Sequence, residues 1–225
     1  MKNNKIPDAK EASFASGINY YKLFWVFFIA CFLGVVVETL WCLLTRGHYE
    51  SRTGLIYGPF NPVYGLGAVL MTVSLDWLAK KRDLWIFLGS TLIGGAFEYL
   101  CSLVQEYVFG TVSWEYSDTP LNVAGRTNLL YAFFWGILGL LWVKELYPRM
   151  SRLIEKIPKK AGAPLTCLLT AFILLNMLVS ALAVARQEER REGLPAANIV
   201  EIFLDEHYTD ERLAEIYPNM MVKEK

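Results

Sequence analysis

Two glutamates lie inside otherwise apolar stretches of the chain. Glu38 lies in GVVVETLW, near the end of the apolar run from Leu23 to Leu44, and Glu98 lies in GGAFEYLC. An ionised carboxylate in the core of a bilayer costs at least ~2.5 kcal/mol, so such residues face a bundle interior or a water-filled cavity. There the pair could bind a cation, relay a proton or act as acid and base. Alternatively, the two carboxylates accept hydrogen bonds and lock the bundle.

Polar and aromatic residues near the predicted helix ends supply possible partners for these carboxylates. Arg126 is either an ion-pair partner or a clamp for an anion, whereas Arg46 and Arg52 are expected at solvent or lipid headgroups. Trp114 and Tyr116 fit either a belt at the membrane interface or a lid over a site. The predicted pocket residues are Glu38, Trp41, Asn61, Tyr64, Glu98, Trp114, Tyr116, Asn122, Arg126, Asn128 and Tyr131.

The motifs that are absent limit the chemistry. The sequence has no GxxxxGKS/T phosphate loop, so the chain does not hydrolyse a nucleotide by that route. It has no HExxH, no cluster of cysteines and histidines and no GxSxG. We therefore predict no metal and no cofactor, and we identify no catalytic residues. A net charge of zero gives no indication of nucleic-acid binding.

Composition and patterning predict a membrane protein. The chain is 54% hydrophobic and only 20% charged, and its apolar residues come in long blocks. A bilayer core needs ~20 largely apolar residues per helical span. Five stretches qualify, although the second and fourth are short: Tyr21–Leu44, Pro62–Leu78, Trp85–Val108, Asn128–Val143 (extending at most to Tyr147) and Ala163–Ala185. The predicted fold class is an all-α, polytopic transmembrane helical bundle of about five spans, in the cell membrane.

The distribution of basic residues predicts the topology. Lysines and arginines before the first span and in the second and fourth loops outnumber those in the first and third loops. The positive-inside rule therefore places the N-terminus in the cytoplasm. Five spans would put the C-terminal tail outside, but three arginines directly after the last span argue against this, so the side of the tail stays open.

The chain divides into five predicted segments. These are a cytoplasmic leader (1–20), a four-span core (21–147), a basic cytoplasmic loop (148–162), a fifth transmembrane helix (163–186) and a soluble tail (187–225). In the tail, Ile199, Ile202 and Phe203 have helical spacing. Thr209 is expected to cap a short helix that ends before Pro218.

The first two helical hairpins resemble each other. GVVVETLWCL (34–43) aligns with GGAFEYLCSL (94–103) at an offset of 60 residues, and GPFNPVYG (58–65) aligns with GRTNLLYA (125–132) at an offset of 67. The extra residues fall in the loop, where duplicated hairpins differ most readily. We predict two parallel copies related by an axis along the membrane normal. Glu38 and Glu98 would then lie at similar depth near that axis.

The combined motifs resemble a known family. The sequence has E-x-x-W at the end of the first span, GPFNPVYG, a glutamate in the third span, WEYSD and N-x-x-GR. This pattern, over roughly Phe24–Tyr147 with a weaker echo in the tail's YPNM, is similar to the bacterial ABC transporter permeases called type IV or CmpB-like. The matching positions are Glu38, Trp41, Gly58, Pro59, Asn61, Pro62, Tyr64, Gly65, Glu98, Trp114, Tyr116, Ser117, Asn122, Gly125 and Arg126. The family's WDYS reads WEYS here.

The resemblance implies a transporter component, and two other functions stay open. As an ABC permease the chain would need a separate ATPase, with Lys144–Gly162 as the longest cytoplasmic segment available for docking. It would carry an outward-facing polar pocket lined by the two carboxylates. Alternatively, it is a membrane-embedded enzyme acting on a lipid-linked or envelope substrate, with Glu38 and Glu98 as acid and base and Arg126 holding an anionic headgroup. A third possibility is a non-catalytic membrane scaffold.

Overall fold

Long apolar helices dominate the computed structural model, which describes residues 13–223. A 3-10 turn (Asp76–Leu78) follows α2, and a π-helical turn (Trp142–Leu146) joins α4 to α5. The helices are α1 (Tyr20–Arg46), α2 (Pro62–Leu75), α3 (Asp83–Phe109), α4 (Leu129–Leu141), α5 (Tyr147–Glu155), α6 (Lys159–Arg191), α7 (Ile199–His207) and α8 (Asp210–Ile216). The predicted all-α class is confirmed. Most of the predicted leader, residues 1–12, lies outside the described part of the chain.

Four helical segments are long and apolar enough to cross a bilayer: Tyr20–Arg46, Asp83–Phe109, Leu129–Glu155 and Lys159–Arg191. The apolar segment Pro62–Leu78 is shorter, and its 17 residues would extend about 26 Å at 1.5 Å per residue. The chain is thus a multi-pass membrane protein. The number of five spans stays a prediction, because it depends on this short segment.

Exposed aromatic side chains lie at both ends of the long helices. Tyr20 and Trp41 mark the two ends of α1, and Trp85 and Tyr107 mark those of α3. Each pair is separated by a little over 20 residues, or roughly 30 Å of helix. This separation matches the thickness of a bilayer core, and tyrosine and tryptophan favour its two interfaces.

Glycines let the helices of each hairpin approach closely. α1 packs against α2, and α3 packs against α4. A Cβ atom at Gly34 would lie 2.3 Å from the ring of Tyr64, and one at Gly94 would lie 2.3 Å from the ring of Trp135. Any larger residue at either glycine would therefore push the two helices apart.

The loops of the two hairpins repeat the same contacts at the predicted offset. Asn61 caps α2 and Asn128 caps α4, each accepting a hydrogen bond from a backbone N–H of the first turn. The side-chain amide of Asn61 also donates to the carbonyl of Arg52 (3.3 Å), and that of Asn128 donates to Thr119 Oγ1 (2.8 Å). Both the capping residues and their partners are 67 positions apart.

The turns that precede these caps are also alike. Gly58 and Gly125 both have a left-handed backbone, with φ of 78° and 67°, which glycine adopts without steric cost. The second turn forms a hairpin of β2 (Asn122–Val123) and β3 (Thr127–Asn128), and in the first turn Leu55 N donates to Phe60 O at 3.1 Å. These repeated features support the predicted duplication, which superposing the two hairpins would test.

A buried lysine joins α1 to α5. Lys22 is only 1% exposed, its Nζ lies 2.5 Å from Glu155 Oε1, and it also donates to Ser151. Although the sequence places Lys22 among the basic residues flanking the first span, its charge lies inside the bundle. The segment 148–162 is largely helical because α5 packs Ile154 into the core and α6 begins soon afterwards.

The tail packs at the end of the bundle opposite residues 13–19. Its strand β4 (Met221–Val222) pairs with β1 (Thr111–Val112), which follows α3. Tyr208 O–H lies 2.6 Å from the hydroxyl of Tyr57, in the first loop. We call the end formed by residues 47–61, 110–128 and 192–223 the loop end. Thr209 caps α8, which ends at Ile216, so the predicted short helix of the tail is confirmed.

Candidate functional site

Glu98 is buried in α3 and held by two hydroxyl groups. Its side chain is 9% exposed, Tyr116 donates to Oε1 at 3.0 Å, and Thr127 donates to Oε2 at 2.7 Å. Tyr131 stacks on the ring of Tyr116 with 4.6 Å between centroids. Among the described residues, no lysine or arginine lies within ion-pair distance of Glu98. Its partners are therefore neutral donors, Tyr116 and Thr127 from the loop after α3 and the indole of Trp135 from α4.

Glu38 has a different environment, because its main partner is a cation. Arg52 Nη1 lies 3.4 Å from Glu38 Oε1, and Arg52 Nη2 lies 3.1 Å from Glu50 Oε2. The same guanidinium donates to Cys42 Sγ at 2.8 Å and is only 11% exposed. Glu38 itself is 35% exposed. The expectation that Arg52 contacts solvent or headgroups is wrong, since two carboxylates enclose it.

The tail contributes a residue to this cluster. With its amide oriented to satisfy both neighbours, Asn219 accepts a hydrogen bond from Arg52 Nη1 at 2.8 Å and donates one to Glu50. Asn219 belongs to YPNM, the tail segment that echoes the family motif. The sequence identifies neither Glu50 nor Asn219 as a site residue, although this weak echo is a signal for Asn219.

Arg126 pairs with a carboxylate that the sequence does not single out. Its Nη1 lies 2.8 Å from Glu106 Oε2 and 3.3 Å from Ser102 Oγ, both in the last turns of α3. The guanidinium also lies 5.9 Å from the centre of the Tyr99 ring. Arg126 is expected from the sequence to form an ion pair or to clamp an anion. In the structure it forms an ion pair, and its partner is Glu106.

The loop after α3 folds over Glu98. Trp114 is half-buried and donates from its indole N–H to the carbonyl of Arg126 at 2.8 Å. Asn122 supports the turn by accepting from Gly125 N (3.0 Å) and donating to the carbonyl of Thr119 (2.8 Å). These contacts favour the lid interpretation of Trp114 over an interface belt. Tyr116, which donates a hydrogen bond to Glu98, belongs to the same loop, residues 110–128, which we call the lid.

The remaining predicted site residues are spread over the bundle. Tyr64 lies between α1 and α2 against Gly34, whereas Trp41 is 65% exposed on the outside of α1. Asn61 and Asn128 cap helices, as described above. An open apolar groove of about 400 Å³ lies along α2 beside Phe97 of α3 and is lined by Leu66, Val69, Leu70, Val73, Ser74 and Phe97. A polar pocket lined by the carboxylates stays a prediction.

The phenol of Tyr116 responds chiefly to burial and to Glu98. Burial raises the pKa of the phenol, the charge and the hydrogen bond of Glu98 raise it further, and Tyr131 and then Glu38 make smaller contributions. Both carboxylates therefore act on the same hydroxyl group, although only Glu98 bonds to it. Their approach to a common axis stays a prediction.

An ion pair attaches the tail to the lid. Lys223 contacts Glu115, whose other oxygen accepts from Ser117 N at 3.0 Å and Ser117 Oγ at 2.6 Å. The bond from Lys223, followed by that from the Ser117 hydroxyl, lowers the pKa of Glu115 from its ordinary 4.5 to about 2. Glu115 is the acid of WEYS that replaces the family's aspartate, and its longer side chain spans from its own turn to the tail.

Comparison with known proteins gives one match. A family model described as "Putative ABC-transporter type IV" matches residues 25–181, which include the predicted site residues and most of α6. No curated protein and no solved structure matches the chain significantly. The match ends before the tail, so the contacts of Asn219 and Lys223 lie outside the shared region.

Proposed function

Because this chain belongs to the family described as "Putative ABC-transporter type IV", we propose that it is the membrane-embedded component of a transporter. In this proposal the N-terminus is cytoplasmic and the loop end lies outside the cell. The excess of basic residues before α1, between α2 and α3, and between α4 and α6 supports this orientation.

The proposed site is the pair of carboxylates below the loop end. The observation that carries it is the burial of Glu98, whose carboxylate is held by Tyr116 and Thr127 with no lysine or arginine of the described residues within ion-pair distance. A buried carboxylate held by neutral donors can take up a cation or a proton once those donors move away. We therefore expect a cationic substrate or coupling ion to enter when Tyr116 and Thr127 release Glu98.

The energy for transport would come from a separate ATPase bound at the end of the bundle opposite the loop end. This chain has no phosphate loop of its own. The junction of α5 and α6 offers exposed basic side chains, among them Arg152, Lys156, Lys159 and Lys160. The ion pair of Lys22 with Glu155 fixes this junction to α1, so a push on α5 would reach the helix that carries Glu38.

The proposal is tested by isolating the complex and measuring ATP hydrolysis. The full chain is purified from its native membranes in a mild detergent, and co-purified ATPases are identified by mass spectrometry. ATP hydrolysis by the reconstituted complex should respond to a cationic substrate in the native chain and lose that response in Glu98→Gln. Asp118→Asn, in the same loop and exposed, is the matched control for loss of a negative charge.

Two results would contradict the transporter proposal. One is the absence of any co-purified ATPase, and the other is an unchanged response in Glu98→Gln.

A scaffold role has its own support, because the oxygens of Glu98 are already occupied by protein hydroxyls. In that case Glu98→Gln would lower thermal stability and change nothing else. Turnover of a lipid extract by the purified chain alone would instead indicate an enzyme.

A further inference from the structure

Helix α7 of the tail leaves three large apolar side chains exposed on its surface. Ile199 is 82% exposed, and Ile202 and Phe203 are each 48% exposed. Their spacing of three and four residues places them on one face of the helix. On a helix that contacts only its own protein and water, such residues would face the protein.

The side of α7 that faces α6 is charged instead. Arg186, which is 3% exposed, donates to both oxygens of Asp205 at 2.9 Å, and Arg190 donates to Asp205 at 2.7 Å. Leu204 packs beside these pairs against Ala183. The buried side of α7 thus combines ion pairs with an apolar contact, whereas Ile199, Ile202 and Phe203 stay exposed.

The contacts also define how α7 lies relative to α6. Arg186 donates to the carbonyl of Leu194 at 3.2 Å, and Arg190 donates to that of Tyr208 at 3.1 Å. A single turn of α6 thus reaches tail residues on both sides of α7. Helix α7 therefore lies beside the last turns of α6, at the level where the apolar span predicted to end at Ala185 gives way to charged residues.

We infer that α7 lies at the surface of the bilayer at the loop end, with Ile199, Ile202 and Phe203 in contact with lipid. A helix at a bilayer interface buries its apolar face at the boundary of headgroups and acyl chains. The partner is lipid because α7 packs beside the last turns of α6, a helix long and apolar enough to span a bilayer, and Leu178 and Leu182 of α6 are exposed within about two turns before Arg186. This inference does not rest on transport and holds equally for a scaffold.

Photocrosslinking in nanodiscs tests the contact. The full chain carrying Phe203→p-benzoylphenylalanine is reconstituted with phosphatidylcholine, irradiated and analysed by intact mass. We expect a mass increase of one phosphatidylcholine molecule. The matched control is Glu215→p-benzoylphenylalanine, an exposed position of the neighbouring helix α8, which should give no lipid adduct.

The outcomes separate lipid from other partners. A crosslinked dimer in place of the lipid adduct would assign the face to a second copy of this chain and overturn the inference. So would the absence of any adduct at position 203, or equal lipid adducts at positions 203 and 215. If the variant at position 203 does not fold, the same substitution at Ile199, the most exposed residue of the face, gives the same test.

Discussion

Glu38 and Glu98 occupy aligned positions of two similar sequence segments, but they are held by different chemistry. Glu98 is buried and bonded to two hydroxyls, whereas Glu38 is partly exposed and paired with Arg52. The first arrangement compensates the carboxylate with neutral dipoles, and the second compensates it with charge. The comparison teaches that two aligned glutamates can be held in one bundle by different partners.

The largest expected effect is the loss of the cation on the Glu38 side. Arg52→Ala leaves Glu38 and Glu50 without their shared partner, and breaking such a mostly buried pair costs about 3 kcal/mol. We expect a corresponding fall in the free energy of unfolding, measured by denaturant titration in micelles. Adding Glu38→Gln should recover part of it. Arg46→Ala, which removes an exposed partner of Glu50, is the control and should change stability by less than ~1 kcal/mol.

A smaller effect is expected on the Glu98 side, because no charge is left without its counter-ion. Thr127→Val keeps the shape of the side chain but removes the donor to Glu98 Oε2, at a cost of about 2 kcal/mol. Thr127→Ser keeps the hydroxyl and is the control. Equal stability of the Val and Ser variants in the same titration would show that the hydroxyl does not hold Glu98.

Tyr116→Phe should have a still smaller effect on stability. It removes one hydrogen bond to Glu98 but retains the ring that stacks on Tyr131, so about 1 kcal/mol is expected. If the two carboxylates communicate through this phenol, the effects of Tyr116→Phe and Glu38→Gln will not add in a double-mutant cycle. Strict additivity would mean that the two sites are independent.

The smallest expected effect is the pH dependence of the contact between the tail and the lid. Because the pKa of Glu115 is lowered in the folded chain, its pairing with Lys223 is complete above the ordinary pKa of 4.5. The pairing is lost as pH falls towards about 2. A spin label at Met221, in β4, should therefore become more mobile over this range. In Glu115→Gln the label should be mobile at every pH, and the same transition in that variant would assign it to another acid.

Sequence patterns predicted the elements of this protein better than their contacts. Apolar length located the long membrane helices, and Thr209 located the cap of a short helix in the tail, because both depend on neighbouring residues only. Which carboxylate meets Arg52 or Arg126 depends on the rotation and packing of whole helices. The pairing of Lys22 with Glu155 shows the same limit, since a lysine near a predicted span end gives no sign that its head lies inside the bundle.

The pairing of β4 with β1 orders the steps of biosynthesis. β1 leaves the ribosome before α4 to α6 exist, whereas β4 follows all of these helices in the chain. If the loop end lies outside the cell, the segment bearing Asn219 and Lys223 must cross the membrane after α6 has inserted. Until that export is complete, Arg52 lacks one of its hydrogen-bond partners and Glu115 lacks its counter-ion. With the loop end outside the cell, as proposed, maturation of this end is a late event governed by translocation and not by the insertion of the first helices.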